Sequence, residues 1–282
     1  MGRFHRHDDG TIHEHDHDEL GHVHHHDGDH PHDGDHDHEP LLSQDPDRVE
    51  LIGDHRGYAT GVERITVLER IYDENDRCAA ANRALLDANG VVAVNLMSSP
   101  GAGKTTLLAR TLAALAPTRR CGVIEGDIET SLDADRLRGY GAQVSLLNTG
   151  AGFGGECHLD APMVAQALTR LDLTTLDLVL IENVGNLVCP AEFDVGAHRR
   201  AMIASVTEGE DKPVKYPVMF RNVEAVVVNK IDLLPYLAFD MDLFLANLTA
   251  INPAAAVIMA SATTGEGVED WLNWLIRPSV VL

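Results

Sequence analysis

The chain has 282 residues, is 44% hydrophobic and carries a formal net charge of -22 at pH 7, enough to build one large α/β domain or two small ones. So acidic a balance argues against nucleic acid or an anionic membrane as main partner, since both are gripped by clustered Lys and Arg, and it suits a protein that gathers cations. No apolar stretch is long enough for a membrane span, the first residues lack the apolar core of a secretory signal, and the widely spaced Cys78, Cys121, Cys157 and Cys189 read as thiols in a soluble, cytoplasmic protein.

Residues 1–40 are almost entirely His, Asp, Glu and Gly. Phe4, Ile12, Leu20 and Val23 are their only sizeable apolar groups, too few to offset the entropy of ordering, so the segment is expected to be disordered. Thirteen of the 16 histidines precede Glu39, many in H-x-H spacing. Alternate residues of an extended chain face the same way, so neighbouring imidazoles can share an ion, and neutral imidazole suits Ni, Cu and Zn. His13, His15, His17, His22, His24, His25, His26, His30, His32, His36 and His38 are the candidate ligands of this weak, multi-site tail. Residues 41–59 read as a linker, and residues 60–282 as the folded domain.

Thr60 and Glu63 match a capping box. Val62, Ile65, Leu68, Ile71, Tyr72, Ala79, Leu85 and Leu86 then recur at helical spacing up to Asn89-Gly90. Beyond them, apolar runs alternate with helical patterns. Strands are expected at VVAVNLM (91–97), CGVIEGD, QVSLLNT, LDLVLIEN, AMIASVT, EAVVVNK and AAVIMAS. Helices are expected at KTTLLARTLAALA, SLDADRLRGYG, LDAPMVAQALTRL and GVEDWLNWLIRP. This alternation implies an α/β P-loop NTPase fold, with a mostly parallel sheet covered by helices on both faces, whose ligands bind beyond the carboxyl ends of the strands.

SSPGAGKTT follows the first of these strands and opens a helix, the context a P-loop requires, although Ser98 stands where the usual first Gly would be. The backbone of Ser99, Gly101, Ala102 and Gly103 would cradle phosphates at the helix N-terminus. Lys104 would reach the β- and γ-phosphates, and Thr105, followed by Thr106, would offer its hydroxyl to Mg²⁺. In VVVNKID, Asp232 can accept from the two adjacent donors of guanine, which adenine lacks. Asn229 and Lys230 would frame the base, and Ser261-Ala262 would meet its carbonyl. The combination favours GTP over ATP and GTP hydrolysis over a P-loop kinase. Asp127 and Glu182, at two further strand ends, are placed to hold Mg²⁺ or its waters and count with Lys104 as catalytic, while Gly185 could contact the γ-phosphate. Cys157-His158 and Cys189 lie in loops, and by spacing alone such residues are more often packed or inert than metal ligands.

The motifs SSPGAGKTT, IEGD, CHLDA, ENVGNLVCPAEFD, SVTEGEDKPVKYP, NKIDLLPY and SATTGEG, from about Thr60 onward, resemble the HypB family, GTPases that assist nickel insertion into [NiFe] hydrogenase. The resemblance implies a nickel site (zinc is also possible) from Cys157, His158 and Cys189, shared across a GTP-dependent homodimer. It also implies a HypA-type metallochaperone and the hydrogenase large subunit precursor as partners, with nickel storage by the tail. The alternatives are a nickel buffer with secondary GTPase activity and an accessory GTPase for another nickel enzyme. Two positions depart from the family pattern. No Cys precedes Cys78, so the tight N-terminal nickel motif of some members is missing, and Gly155 stands where a Lys is frequent.

Overall fold

The structure is a computed structural model that describes residues 3–6, 12–15, 61–126, 137–147 and 158–277, with side chains described from residue 70 onward. Two units are distinguished, residues 1–56 and 57–282. In the first, β1 (Arg3–Arg6) and β2 (Ile12–His15) pair antiparallel, with His5 opposite His13. The rest of the tail and the linker lie outside the described residues, as does the capping residue Thr60.

The second unit holds a seven-stranded sheet in the order β5-β4-β6-β3-β7-β8-β9. Its strands are β3 (Val92–Ser98), β4 (Cys121–Glu125), β5 (Gln143–Leu146), β6 (Leu178–Glu182), β7 (Arg199–Ser205), β8 (Ala225–Asn229) and β9 (Ala256–Met259). Every neighbouring pair is parallel, which explains why the inner strands read as nearly unbroken apolar runs, since both their faces are covered, while Val257 and Met259 of the edge strand β9 are exposed. Alternate residues divide between the two faces. Val94, Leu96, Val123, Leu180, Ala201, Ile203 and Val227 pack with Leu107, Leu108 and Leu112 of α2 (Lys104–Leu115) and with Trp271 and Leu275 of α7 (Val268–Ile276). On the opposite face, Ala93, Ile124, Val179 and Ile181 pack with Leu86 of α1 (Gly61–Ala88) and with Val164 and Leu168 of α3 (Ala161–Leu168). The same face continues over Met202, Val226 and Val228, which are covered by Phe220 of α5 (Pro217–Arg221) and by Phe244 and Leu248 of α6 (Met241–Ile251). The short α4 (Lys212–Lys215) completes the set.

Two expectations need correction. Ile71, Tyr72 and Leu85 of α1 are exposed, while Ala79 and Leu86 are buried as expected, and Asn75 and Asn82 join them in the buried stripe. The two asparagines tolerate burial because backbone groups of two loops satisfy them. Helix α6 went unread, although Asp240 caps it by accepting from the amide of Leu243 at 2.9 Å and Phe244 and Leu248 carry the i,i+4 signature of a buried face. Of the helix expected after β4, only the last part, from Leu137, is described.

Trp271 is fully buried, stacks on Trp274 at 5.3 Å and donates to the Thr111 hydroxyl at 2.8 Å. It thereby ties α7 to α2 beneath the phosphate loop. Trp271→Ala should destabilise the domain by about 3–5 kcal/mol, measured as a lower midpoint of urea unfolding.

Candidate functional site

The central strand β3 runs into Ser99-Pro100-Gly101-Ala102-Gly103, and α2 begins at Lys104. Gly103 adopts φ 93°, and a Cβ there would stand 2.5 Å from the Asn229 amide nitrogen, so the loop fits only glycine at that point. Asn229, at the end of β8, donates to the carbonyl of Ala102 at 2.8 Å and accepts from the amide of Ala262 at 3.0 Å. One buried side chain therefore joins the phosphate loop to the SAT loop. Lys230 donates to the carbonyl of Gly101 at 2.6 Å and is, among the described residues, the sole non-glycine with positive φ. That conformation turns the chain so that Asp232 follows at once, with its Oδ1 buried and without a hydrogen-bond partner. A buried carboxylate oxygen in this condition is suited to accept from donors such as those of guanine. Arg110 of α2 holds the SAT loop from behind through the carbonyls of Ala262 and Thr263 at 2.7 and 2.6 Å.

Glu182, at the end of β6, is fully buried. It accepts from the Thr105 hydroxyl at 2.5 Å and lies 3.4 Å from the Lys104 ammonium. Gly185 follows in the loop that leaves this strand. The register Glu125↔Glu182 between β4 and β6 places a second buried carboxylate, Glu125, on the same face of the sheet. Glu125 was not selected from the sequence, although the alternation Cys121, Val123, Glu125 toward the α2 face would have marked it. Hard oxygen donors beside Thr105 fit Mg²⁺, which, when bound, neutralises phosphate charge. Glu208, just after β7, was also missed. Burial raises its carboxyl pKa, against the opposing pull of Ser99, Lys212 and Lys230, so it borders the phosphate loop from the β7 side. Asp127 lies outside the described residues.

The backbone just after His158 is tied to the same strand end. Asn183, next to Glu182 and fully buried, accepts through Oδ1 from the amides of Leu159 and Val184 at 3.0 and 2.9 Å. The first bond fixes the backbone directly after His158. Asn75 of α1 accepts from the amide of Ala161 and donates to the carbonyl of Asp194, both at 2.9 Å. Asn82 donates to the carbonyls of Ala161 and Val195 at 2.9 and 3.1 Å. Helix α1 therefore anchors both the segment after His158 and the segment after Cys189. Cys189 opens a short 3₁₀ turn, Cys189–Ala191, and is partly exposed. Cys121, by contrast, belongs to the core, and burial pushes its thiol up to about 11. Cys157 lies outside the described residues, and no three His, Cys, Asp or Glu side chains gather around a metal position among the described ones. The side chains of the tail histidines are not described.

The sheet carries a phosphate loop on its central strand, and the base-reading motif ends the strand two places away in the sheet. That arrangement defines a P-loop GTPase. Comparison with known proteins narrows the class. Residues 92–259 match the CobW/HypB/UreG nucleotide-binding domain. The chain is 48% identical over 226 residues to the hydrogenase maturation factor HypB of Escherichia coli K12, covering 79% of this chain and 77% of that protein. The crystal structure of HypB from Archaeoglobus fulgidus superposes with a TM-score of 0.67 at 39% identity, covering 72% of this chain and 97% of that one. HypB from Helicobacter pylori, solved in complex with nickel, superposes with the same TM-score at 37% identity, covering 72% and 94%. The chain thus belongs to the HypB family of hydrogenase maturation factors.

Asp232→Asn replaces the base-reading acceptor with an amide that can donate. It should weaken GTP binding at least tenfold and favour xanthosine over guanosine triphosphate, as read by nucleotide competition; unchanged preference would remove Asp232 from the base site. Lys104→Ala should abolish hydrolysis, measured by phosphate release.

Proposed function

We propose that this GTPase is a nickel chaperone that couples GTP hydrolysis to release of nickel toward the hydrogenase large subunit precursor. In this reading Cys157, His158 and Cys189 bind the ion, with zinc as a possible competitor, and the His-rich tail stores nickel nearby. Lys104 and the phosphate-loop amides hold the triphosphate. Thr105, Asp127 and Glu182 serve Mg²⁺, and Gly185 meets the γ-phosphate. A GTP-dependent homodimer completes the metal's ligand set, and a HypA-type metallochaperone exchanges nickel with it in the cytoplasm. No helix among the described residues is long and apolar enough to cross a membrane.

The observation that carries the proposal is the dipeptide Glu182-Asn183. Glu182 touches the two phosphate-loop side chains that must turn to nucleotide and Mg²⁺, and Asn183 bonds the backbone next to His158. Any shift of Glu182 when Lys104 and Thr105 change partners is transmitted through one peptide unit to the metal motif. Cys189 lies on the same chain segment, a few residues further on. Support also comes from the relative solved in complex with nickel.

Such coupling is reciprocal by thermodynamic necessity. A non-hydrolysable GTP analogue should change nickel affinity about 5-fold or more, and nickel should change affinity for the analogue by the same factor. Titrating the full chain at free nickel levels set by a chelator, and following thiolate-to-nickel charge-transfer absorption, checks this. The tail contains no cysteine and stays silent in that band. Equal affinities with and without the analogue would detach the metal from the nucleotide cycle.

A further inference from the structure

The ring of His158 stacks on Phe193, with centroids 4.3 Å apart and planes inclined by 24°. Tyr72 of α1 stacks with the same Phe193 at 5.3 Å and 25°, and its hydroxyl lies 3.4 Å from the Glu192 carboxylate. Three rings from three separate segments thus form one column. From these contacts we infer that Phe193 is a positioning residue for the metal site, holding the His158 imidazole in the orientation from which it takes nickel. The inference rests on the reading of His158 as a nickel ligand.

Stacking engages only the face of the imidazole, and the unprotonated ring nitrogen directs its lone pair in the plane of the ring, across the stacking direction. A stacked histidine is therefore restrained in its torsions without losing access to an ion, which lowers the entropy lost on coordination. Electrostatics act in the same direction. An imidazole coordinating a dication becomes electron-poor, and the face of Phe193 carries the negative part of the ring quadrupole, so the stack strengthens as the metal binds.

The placement of Phe193 suits this role. It follows directly on the turn that Cys189 opens, a turn closed by the Glu192 amide donating to the Cys189 carbonyl at 3.2 Å. Its downstream side is clamped to α1, where Asn75 takes the carbonyl of Asp194 and Asn82 that of Val195. Gly196 continues the clamp, in a conformation (φ 86°) that brings its backbone against Ala79 and Asn82. Asn75 and Asn82 also hold Ala161, three residues after His158. Both partners of the stack are therefore referenced to the same stretch of α1. None of these bonds reaches the phosphate loop, so the stack's effect should fall on metal affinity and not on hydrolysis.

The test compares full-length wild type with Phe193→Leu, Phe193→Tyr and His158→Ala. Nickel is titrated at chelator-fixed free concentrations, and the thiolate-to-nickel charge-transfer band is followed as before. GTP hydrolysis without nickel and thermal melting are measured on the same samples. Phe193→Leu keeps the bulk but removes the aromatic face. It should weaken nickel binding about 10-fold or more, the range found when groups supporting a ligand are removed. Phe193→Tyr should restore wild-type affinity, with hydrolysis and melting close to wild type in both. If His158→Ala weakens the site while Phe193→Leu binds normally, the positioning role is wrong and the nickel reading survives. If His158→Ala binds normally, His158 is no ligand and the inference falls with the reading beneath it. If Phe193→Leu loses hydrolysis or melts far below wild type, Phe193 is a general packing residue and the positioning role is overturned.

Discussion

Glu182 sits at the end of β6 with no solvent exposure, holding Thr105 through a hydrogen bond and Lys104 through an ion pair. A buried carboxylate needs such partners, because removing one from a buried pair costs roughly 3–5 kcal/mol. In this arrangement Lys104 and Thr105, which the proposed function assigns to nucleotide and Mg²⁺, are engaged by Glu182. Under that proposal nucleotide binding would be an exchange of partners around Glu182.

In the proposed switch that exchange would reach the segment after His158 because a parallel sheet aligns its strand ends. Glu125, Glu182 and Ser98 terminate adjacent strands, and the residue after each begins a loop on the same edge. Asn183 belongs to one of those loops and accepts from the amide of Leu159, just before α3 begins. The polar contacts that cross between loops are few, buried and directional, as the interior's low dielectric demands. Helix α1 supplies the fixed reference. Its buried asparagines bind the backbone on the far side of both motifs, so the loops between are held at both ends. Between these anchors Tyr72, Phe193 and His158 stack on one another.

On the nucleotide side the same logic appears with different chemistry. Asn229 and Arg110 direct their donors to loop carbonyls, which leaves Asp232 Oδ1 as a buried acceptor without a partner. In the proposed base site, specificity would come from this polar atom, which the protein leaves unsatisfied while Asn229 and Arg110 are hydrogen-bonded. Cys121 shows the opposite condition, that of a thiol given no ligand to meet. It is buried among aliphatic groups, and its ionisation is suppressed.

The sequence by itself determined much of this molecule. A strand covered on both faces must be apolar throughout, so each strand of the sheet was readable as a run, and the glycines of the phosphate loop, the NKID motif and the SAT motif are local patterns whose chemistry travels with them. Periodic segments such as α2 and α7 were equally plain. The tertiary structure alone decided which strand lies beside which, and hence that Glu125 stands next to Glu182. It also decided that the buried stripe of α1 runs through Asn75 and Asn82 and leaves Ile71, Tyr72 and Leu85 at the surface. Polar side chains resemble surface residues in any single-sequence reading, and only the distant carbonyls and amides that satisfy them make their burial possible. The stack of Tyr72, Phe193 and His158 is of the same kind, because its members come from three distant stretches of chain and no local pattern marks them as neighbours.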